Sequence, residues 1–186
     1  MKNPPKGARL EAWDGRTSAG WGKSVDGVDA VVNLAGESIA GNGVLSIVFG
    51  RWWGRRKRRI IDSRRDAGAA VTQSIREAKH RPKVLIQASA VGYYGVLNSE
   101  PLSEDMPRGN DFQASVCWEW ELSTSQVEVM GVRRVVIRSG LVMTRQGGIL
   151  HMLKLPFRFF AGGRIGSGRQ IFPWIHSDDE VGAIAS

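Results

Sequence analysis

The stretch VLIQASAVGYYG, residues 84 to 95, joins an apolar run to a serine and two tyrosines. The run lacks strict alternation of apolar and polar residues, which is typical of a strand covered on both faces of a parallel sheet. Ser89 lies at the end of this strand, and Tyr93 and Tyr94 follow it closely. Because ligands bind beyond the carboxyl ends of strands in open α/β sheets, the segment predicts a functional site at that edge.

Strands and helices alternate on both sides of this segment. DAVVNLAG (29–36) predicts a strand, and the stretch from about Gly54 to His80 predicts a long helix that Pro82 ends. RRVVIRSG (133–140) predicts a further strand. Apolar strands interleaved with helices form right-handed βαβ crossovers, so the sequence predicts an α/β fold with a doubly wound, Rossmann-like parallel sheet.

The remaining segments extend this pattern. A polar loop leads to Asp111, which is expected to cap a helix that runs through ASVCWEWELSTSQVEVM and ends at Gly131. GGILHMLKLPFRFF predicts a short amphipathic helix broken near Pro156, and a glycine-rich loop follows it. IFPWIHSDDEVGAIAS predicts a strand and then a helix capped by Ser177 or Asp178.

Composition limits the class of protein. The 186 residues, 42% hydrophobic and 24% charged, suit one globular domain with a substantial core. The single cysteine, Cys117, excludes an intramolecular disulfide and a cysteine-based metal cluster, and it suits a reducing compartment. The opening residues lack the apolar core of a secretory signal, and no run approaches the roughly 18 apolar residues of a membrane span. A cytoplasmic protein without membrane contact is therefore expected.

The formal charge of +8 is concentrated in RWWGRRKRRIIDSRR, residues 51 to 65, which holds eight Lys or Arg and a single acid, Asp62. With its two tryptophans, such a patch could contact phosphates and stack on bases. Charge runs on helices are more often solvated faces, so the sequence favours a helix whose opposite face carries Ile60, Ile61 and Ile75. Nucleic acid is therefore the alternative rather than the expected partner.

Several separate motifs occur along the chain in a fixed order. They are NLAGESIAG, RWW followed by a basic stretch and SR, SAVGYYG, SED, DFQASVCWEWE, GVRRVVIRSG, GGIL, PFRFFAGG and GSGRQIFPWIHSDDEVGAI. Together they resemble the atypical extended short-chain dehydrogenase/reductases, an NAD(P)-dependent epimerase-like family. The resemblance implies an oxidoreductase or epimerase with a Rossmann domain that binds NADP(H) or NAD(H), a smaller substrate-binding region, and a small-molecule substrate that the sequence does not identify.

The resemblance also predicts how the chain is divided and what it lacks. Residues 1–145 correspond to a partial NAD(P)-binding Rossmann-like domain, and residues 146–186 to the start of a substrate-binding region interleaved with a strand and helix of the sheet. Family members begin with a strand and a glycine-rich turn upstream of the AWDG-like segment, which predicts that this chain lacks its first βα unit. Residues 42–49 look like an insertion. The sequence is therefore expected to be a fragment truncated at both ends, and an inactive one is among the hypotheses.

A glycine-rich phosphate loop is the feature that a dinucleotide site would normally show. No G-x-G-x-x-G follows a predicted strand and opens a helix, which is where bare backbone amides hold the pyrophosphate. GNG (41–43) has Ser46 in place of the third glycine, and GGRIGSG (162–168) follows no strand. Both are predicted to be turns, so a cofactor is expected to depend on other contacts.

The resemblance assigns those contacts to three strand ends. Asn33, Leu34, Ala35 and Gly36 correspond to the adenine half of the cofactor, Ala88 and Ser89 to the nicotinamide ribose, and Arg138, Ser139 and Gly140 to the nicotinamide end. The alternative for residues 33–36 is a strand end with a tight turn and no ligand.

Proton transfer in dehydrogenases of this class needs a tyrosine, a lysine four residues later that lowers the pKa of the phenol, and a serine or threonine. The chain has two tyrosines and no Tyr-x-x-x-Lys, and by resemblance Val116 and Trp120 stand at the corresponding positions. The predicted catalytic residues are therefore Ser89, Tyr93 and Tyr94, with Glu119 as a further candidate base.

Each candidate has a structural alternative. The serine would satisfy backbone groups at a strand end, the tyrosines would be packing residues, and Glu119 would be solvated. Cys117 is predicted to be an inert small hydrophobic residue rather than a nucleophile. His176 and the two acids after it could suggest a metal site, but capping of a helix explains them, and no metal is predicted.

Three functions from different classes follow from these observations. The first is an NAD(P)-dependent oxidoreductase or epimerase-like protein, or an incomplete piece of one. The second is a protein that binds the cofactor without turnover. The third is a nucleic-acid binder that uses residues 51–65, and the sequence ranks it last.

Overall fold

The computed structural model describes residues 6–38, 54–96, 101–145, 147–164 and 166–186. The predicted insertion at 42–49 and the GNG turn at 41–43 lie outside these ranges, as do the two tryptophans of the basic stretch. Within the described ranges, no helix is both long and apolar enough to cross a membrane.

A three-stranded parallel sheet forms the centre of the fold. Its strands are β1 (Ala30–Asn33), β2 (Val84–Ala90) and β3 (Arg133–Ser139), in the order β1-β2-β3. The register sets Val32 beside Ile86, and Ile86 beside Val135. All of these pairings are parallel, which confirms the predicted α/β architecture.

Two α-helices lie between these strands within the described ranges. They are α1 (Gly54–Glu77) and α2 (Phe112–Leu122). Asp111 caps α2 as predicted, because its carboxylate accepts a hydrogen bond from the Ala114 backbone N–H at 2.8 Å. The prediction that this helix continues to Gly131 is wrong.

The α-helix stops at Leu122, and residues Ser125–Met130 form a separate 3₁₀ helix. The hydroxyls of Ser123 and Ser125 donate to the carbonyls of Trp120 and Leu122, and such side-chain bonds compete with the helical ladder. Gly131 ends the 3₁₀ helix in the left-handed conformation, with φ of 80°.

A second, two-stranded parallel sheet follows directly. Its strands are β4 (Leu141–Met143) and β5 (Trp174–His176). The helix α3 (Gly148–Arg158) follows β4, and α4 (Ser177–Ala185) follows β5. β5 pairs with β4 rather than with a strand of the central sheet. The sequence did not predict β4, because Gly140 alone separates it from β3.

Two details of this region differ from the expectations. α3 continues through Pro156 to Arg158, so the predicted break falls two residues later. α4 is capped by neither Ser177 nor Asp178, because β5 leads straight into the helix and leaves His176 as the last extended residue. The imidazole Nδ1 of His176 accepts from the Asp178 backbone N–H at 3.2 Å.

The two faces of the central sheet are covered unequally. Along β2, Leu85, Gln87 and Ser89 are buried, while the residues between them are only half-buried. Leu85 packs with the α1 residues Val71 and Ile75 in the main hydrophobic core. The sequence predicted strands covered on both faces, whereas within the described residues one face is partly exposed.

Candidate functional site

The carboxyl ends of the three central strands meet at one edge. The register pairs Asn33 with Gln87, and Ser89 with Arg138. The segments that the sequence predicted to form a site therefore leave the sheet side by side, as the parallel arrangement requires.

Ser89 is buried, and its hydroxyl is already bonded. Its side chain lies on the covered face of the sheet, and the residue is 4% exposed. The Ser89 Oγ donates to Oε1 of Glu121 on α2 at 2.6 Å. A serine hydroxyl has one proton, so Ser89 is left with lone pairs that accept hydrogen bonds.

Glu121 is a buried carboxylate that sequence reasoning did not assign to the site. The residue is 7% exposed and forms a two-point ion pair with Arg138, with Nε to Oε1 at 2.9 Å and Nη2 to Oε2 at 3.0 Å. Bidentate pairs of this kind fix the geometry of both groups. The hydrogen bonds with Glu121 hold the pKa of the Arg138 guanidinium above its ordinary value, so this side chain stays charged.

Arg138 also contacts both tyrosines. Its Nη1 donates to the Tyr94 Oη at 2.8 Å and to the Glu104 carbonyl at 3.0 Å. The guanidinium lies 3.6 Å from the centre of the Tyr93 ring, and the two tyrosine rings meet edge-on at 5.3 Å. The Tyr94 oxygen therefore faces a permanent cation while its own proton has no acceptor among the described residues.

Four side chains, Ser89, Glu121, Arg138 and Tyr94, are thus joined by hydrogen bonds, and we call them the serine-tyrosine network. Glu119 is not a member. Its side chain is 38% exposed and lies 3.6 Å from Arg65 of α1. A signal for Glu121 was present in the sequence, because it lies four residues after the buried Cys117 and so shares its helix face.

The positions that correspond to the missing Tyr-x-x-x-Lys pair are buried and apolar. Val116 and Trp120 are 1% and 8% exposed. The Trp120 ring packs against the Arg64 guanidinium at 4.6 Å. α2 therefore supplies the carboxylate of Glu121 to the site instead of a phenol and an ammonium.

The loop after β1 begins at a buried, hydrogen-bonded pair of amide side chains. The Asn33 Nδ2 donates to the Gln87 Oε1 at 2.9 Å, and the Asn33 Oδ1 accepts from the Ala35 N–H at 3.2 Å. Beyond this turn Leu34 is 63% exposed, and Gly36 is exposed as well. Of the four residues assigned to the adenine half of a cofactor, Asn33 is bonded within the sheet and the loop residues are more accessible.

Arg64 supports this loop from below, although the sequence placed it in a solvated basic face. The residue is 6% exposed, and its Nη1 donates to the carbonyls of Glu37 and Ile60, each at 3.0 Å. Burial lowers the pKa of its guanidinium. A Cβ at Gly36 would lie 3.0 Å from the Arg64 Cζ, so the loop approaches the guanidinium as closely as a glycine permits.

The end of β3 lies against the C-terminal elements. The Ser139 hydroxyl donates to the carboxylate of Glu180 on α4. A Cβ at Gly140 would lie 2.9 Å from the Pro173 carbonyl oxygen. Residues 138–140, assigned by resemblance to the nicotinamide end, thus join the central sheet to the segment that follows it.

Curated relatives match most of the chain. Epimerase family protein YfhF of Bacillus subtilis is 41% identical over 153 residues, which are 82% of this chain and 47% of the relative. The chloroplastic homolog of epimerase family protein SDR39U1 from Arabidopsis thaliana is 42% identical over 166 residues, 88% of this chain and 45% of the relative. The chain spans about half the length of the curated relatives it matches.

Solved structures share the fold. The crystal structure of human epimerase family protein SDR39U1 (isoform 2) with NADPH matches with a TM-score of 0.73 and 34% identity, over 84% of this chain and 51% of that one. The nucleoside-diphosphate sugar epimerase of Corynebacterium glutamicum gives 0.70 and 31%, over 99% of this chain and 36% of that one. No protein-family model matches the chain.

Proposed function

Since the chain belongs to the epimerase family of the extended short-chain dehydrogenases/reductases, we propose that it contributes to an NAD(P)-dependent oxidoreductase or epimerase-like site. The proposal places that site at the carboxyl edge of the central sheet. It takes residues 1–145 as part of the cofactor-binding domain and residues 146–186 as the start of the substrate-binding region.

The residues at this edge suit the nicotinamide part of a dinucleotide. Arg138 supplies a fixed cation, and Tyr94 supplies a phenolic proton that has no acceptor among the described residues. The loop after β1, where Leu34 and Gly36 are exposed, is left for the adenine half of the cofactor. A related human protein was crystallised with NADPH, which supports the same cofactor class here. When bound, a nicotinamide cofactor would supply the hydride chemistry.

Proton transfer is assigned to Tyr94 because its Oη accepts a hydrogen bond from a charged guanidinium at 2.8 Å. A cation beside a phenol stabilises the phenolate, which is the effect that a lysine provides in the usual pair. Ser89 accepts a hydrogen bond from a substrate hydroxyl in this scheme, since its own proton is bonded to Glu121.

Exchange of Tyr94 for Phe tests this assignment. Oxidation of NADPH is followed by absorbance with a panel of keto-sugar and other carbonyl substrates. Tyr94→Phe is expected to lower turnover by about 100-fold or more, because it removes the proton donor. Tyr93→Phe retains the ring under Arg138 and is expected to lower turnover by less than about tenfold. Equal rates for the two variants would contradict the role of Tyr94.

A second function, cofactor binding without turnover, is favoured by a different observation. The proton of Ser89 is committed to a buried carboxylate, and Val116 and Trp120 place no titratable group where the usual pair stands. This function predicts saturable binding of NADPH together with no hydride exchange across the carbonyl panel.

The nucleic-acid interpretation is weakened by the ion pairs of α1. Arg59 lies 2.7 Å from Glu37, Arg65 lies 3.6 Å from Glu119, and Arg64 is buried. A nucleic-acid site would require affinity that falls steeply with salt and is lost when four cations of α1, Arg55, Arg56, Arg58 and Arg59, are changed to Ala.

We also place the protein in the cytoplasm, since its one thiol is free and suits a reducing compartment.

A further inference from the structure

We propose that Glu121 is a positioning residue for Tyr94, acting through Arg138: it holds the guanidinium against the phenol and offsets part of its charge. Only the catalytic consequence of this coupling rests on the proposed function. The coupling itself is a property of the folded chain, so it can be measured without any substrate.

The contacts of Glu121 leave Arg138 little freedom. The Glu121 Oε1 accepts from Ser89 Oγ and from Arg138 Nε, and its Oε2 accepts from Arg138 Nη2. The third nitrogen, Nη1, is then directed at the Tyr94 Oη and the Glu104 carbonyl. Because the guanidinium is planar and rigid, fixing two of its nitrogens also fixes the direction of the third.

Burial makes the two charges and the phenol sensitive to one another. The Arg138 side chain is 20% exposed and that of Glu121 is 10% exposed, while Tyr94 is 5% exposed. Electrostatic interactions between such groups are screened less than between surface charges. The phenol of Tyr94 therefore lies in a field set by the positive charge of Arg138 and the negative charge of Glu121 behind it.

Two substitutions should therefore change the surroundings of the Tyr94 hydroxyl in the same way. Arg138→Met removes the group that donates to the Tyr94 Oη. Glu121→Gln leaves one acceptor oxygen where the carboxylate has two, so the guanidinium is displaced from the phenol. In the Arg138→Met background, Glu121→Gln should have little further effect on Tyr94, because Glu121 acts through Arg138.

The chain offers a clean probe and a matched control. It contains two tyrosines, so a Tyr93→Phe background leaves a single phenol to follow. Glu119 lies on the same helix two residues earlier, and its carboxylate faces Arg65 instead of Arg138. Glu119→Gln changes the net charge by the same amount as Glu121→Gln without touching the serine-tyrosine network.

The experiment follows the hydroxyl-bearing ring carbon of ¹³C-labelled Tyr94 by NMR at neutral pH, with circular dichroism to show that each variant stays folded. In the Tyr93→Phe background, Arg138→Met is expected to shift this signal, and Glu121→Gln to shift it in the same direction. Glu119→Gln is expected to leave the signal nearly unchanged, because its ion pair is on the surface.

The result that overturns the inference is a Tyr94 signal that Glu121→Gln leaves unchanged, shifts no more than Glu119→Gln does, or shifts equally with and without Arg138. If Glu121→Gln does not fold, Glu121→Asp takes its place in the comparison. Asp keeps the charge but is one methylene shorter, so a displaced Arg138 should move the signal toward its position in Arg138→Met; an unchanged signal would again overturn the inference. A chain that shows the expected shifts but no turnover rejects the enzymatic proposal and leaves the coupling in place.

Discussion

At the scale of single residues, Cys117 gives a direct check on the packing around the serine-tyrosine network. The residue is 4% exposed and packs with both tyrosines. Burial raises the pKa of its thiol, so the reactive thiolate forms only at a pH above the ordinary range for cysteine.

We therefore expect a disulfide reagent to label the folded chain slowly at neutral pH, and rapidly once denaturant is added. Raising the pH should increase the rate, because the thiolate fraction rises toward the elevated pKa. The measurement is simple because Cys117 is the sole cysteine. Rapid labelling under native conditions would mean that α2 does not pack on the β2 loop as described.

The sequence located some site residues and missed others for physical reasons. Ser89 and Tyr94 could be predicted, because their place at a strand end follows from the local pattern of apolar residues. The contact between Tyr94 and Arg138 depends on the register between β2 and β3, which joins residues 44 positions apart. Glu121 and Arg64 were missed because buried charges resemble surface charges in a sequence.

At the scale of elements, the packing of α1 against the end of α2 depends on Gly68. A Cβ at this position would overlap the Ser123 Oγ and lie 2.5 Å from Ser123 Cβ. Alanine is the better helix former by about 1 kcal/mol, so propensity alone favours its presence. The close approach opposes it, since relieving such an overlap costs about 1–3 kcal/mol.

Gly68→Ala is accordingly expected to lower the free energy of unfolding in urea by up to about 2 kcal/mol. Gly54→Ala is the matched control, because Gly54 belongs to the same helix and has nothing within 4 Å of an added Cβ. Adding Ser123→Gly to Gly68→Ala should restore part of the loss. A Gly68→Ala variant more stable than the parent would show that the helices do not approach so closely.

The elements themselves were largely predictable, and their ends less so. Continuous apolar runs predict β2 and β3, and the helical spacing of apolar residues predicts α1. Both patterns are local in the sequence. The end of α2 was missed because Ser123, Thr124 and Ser125 interrupt the helix through side-chain hydrogen bonds that periodicity does not register. β4 was missed because its separation from β3 arises from pairing with the distant β5.

At the scale of the whole molecule, apolar side chains remain exposed where a sheet covered by helices on both faces would bury them. Val32 on β1 is 44% exposed, and Phe157, Phe159 and Phe160 around the end of α3 are also exposed. The main hydrophobic core joins α1 to Leu85 of the central sheet and to Val25 and Val127 of two 3₁₀ helices. The family, the parallel strands and the position of the serine-tyrosine network at the carboxyl edge of the sheet all agree with a Rossmann-like fold.

The measurement that tests a nicotinamide site at this edge most directly is a titration of NADPH into the ¹³C-tyrosine-labelled chain. A site there predicts that the Tyr94 signal moves saturably, with a dissociation constant no weaker than about 1 mM, and that AMP alone moves it much less. Arg138→Met should abolish the movement. Tyrosine signals that stay fixed at saturating NADPH in a folded chain would contradict the site.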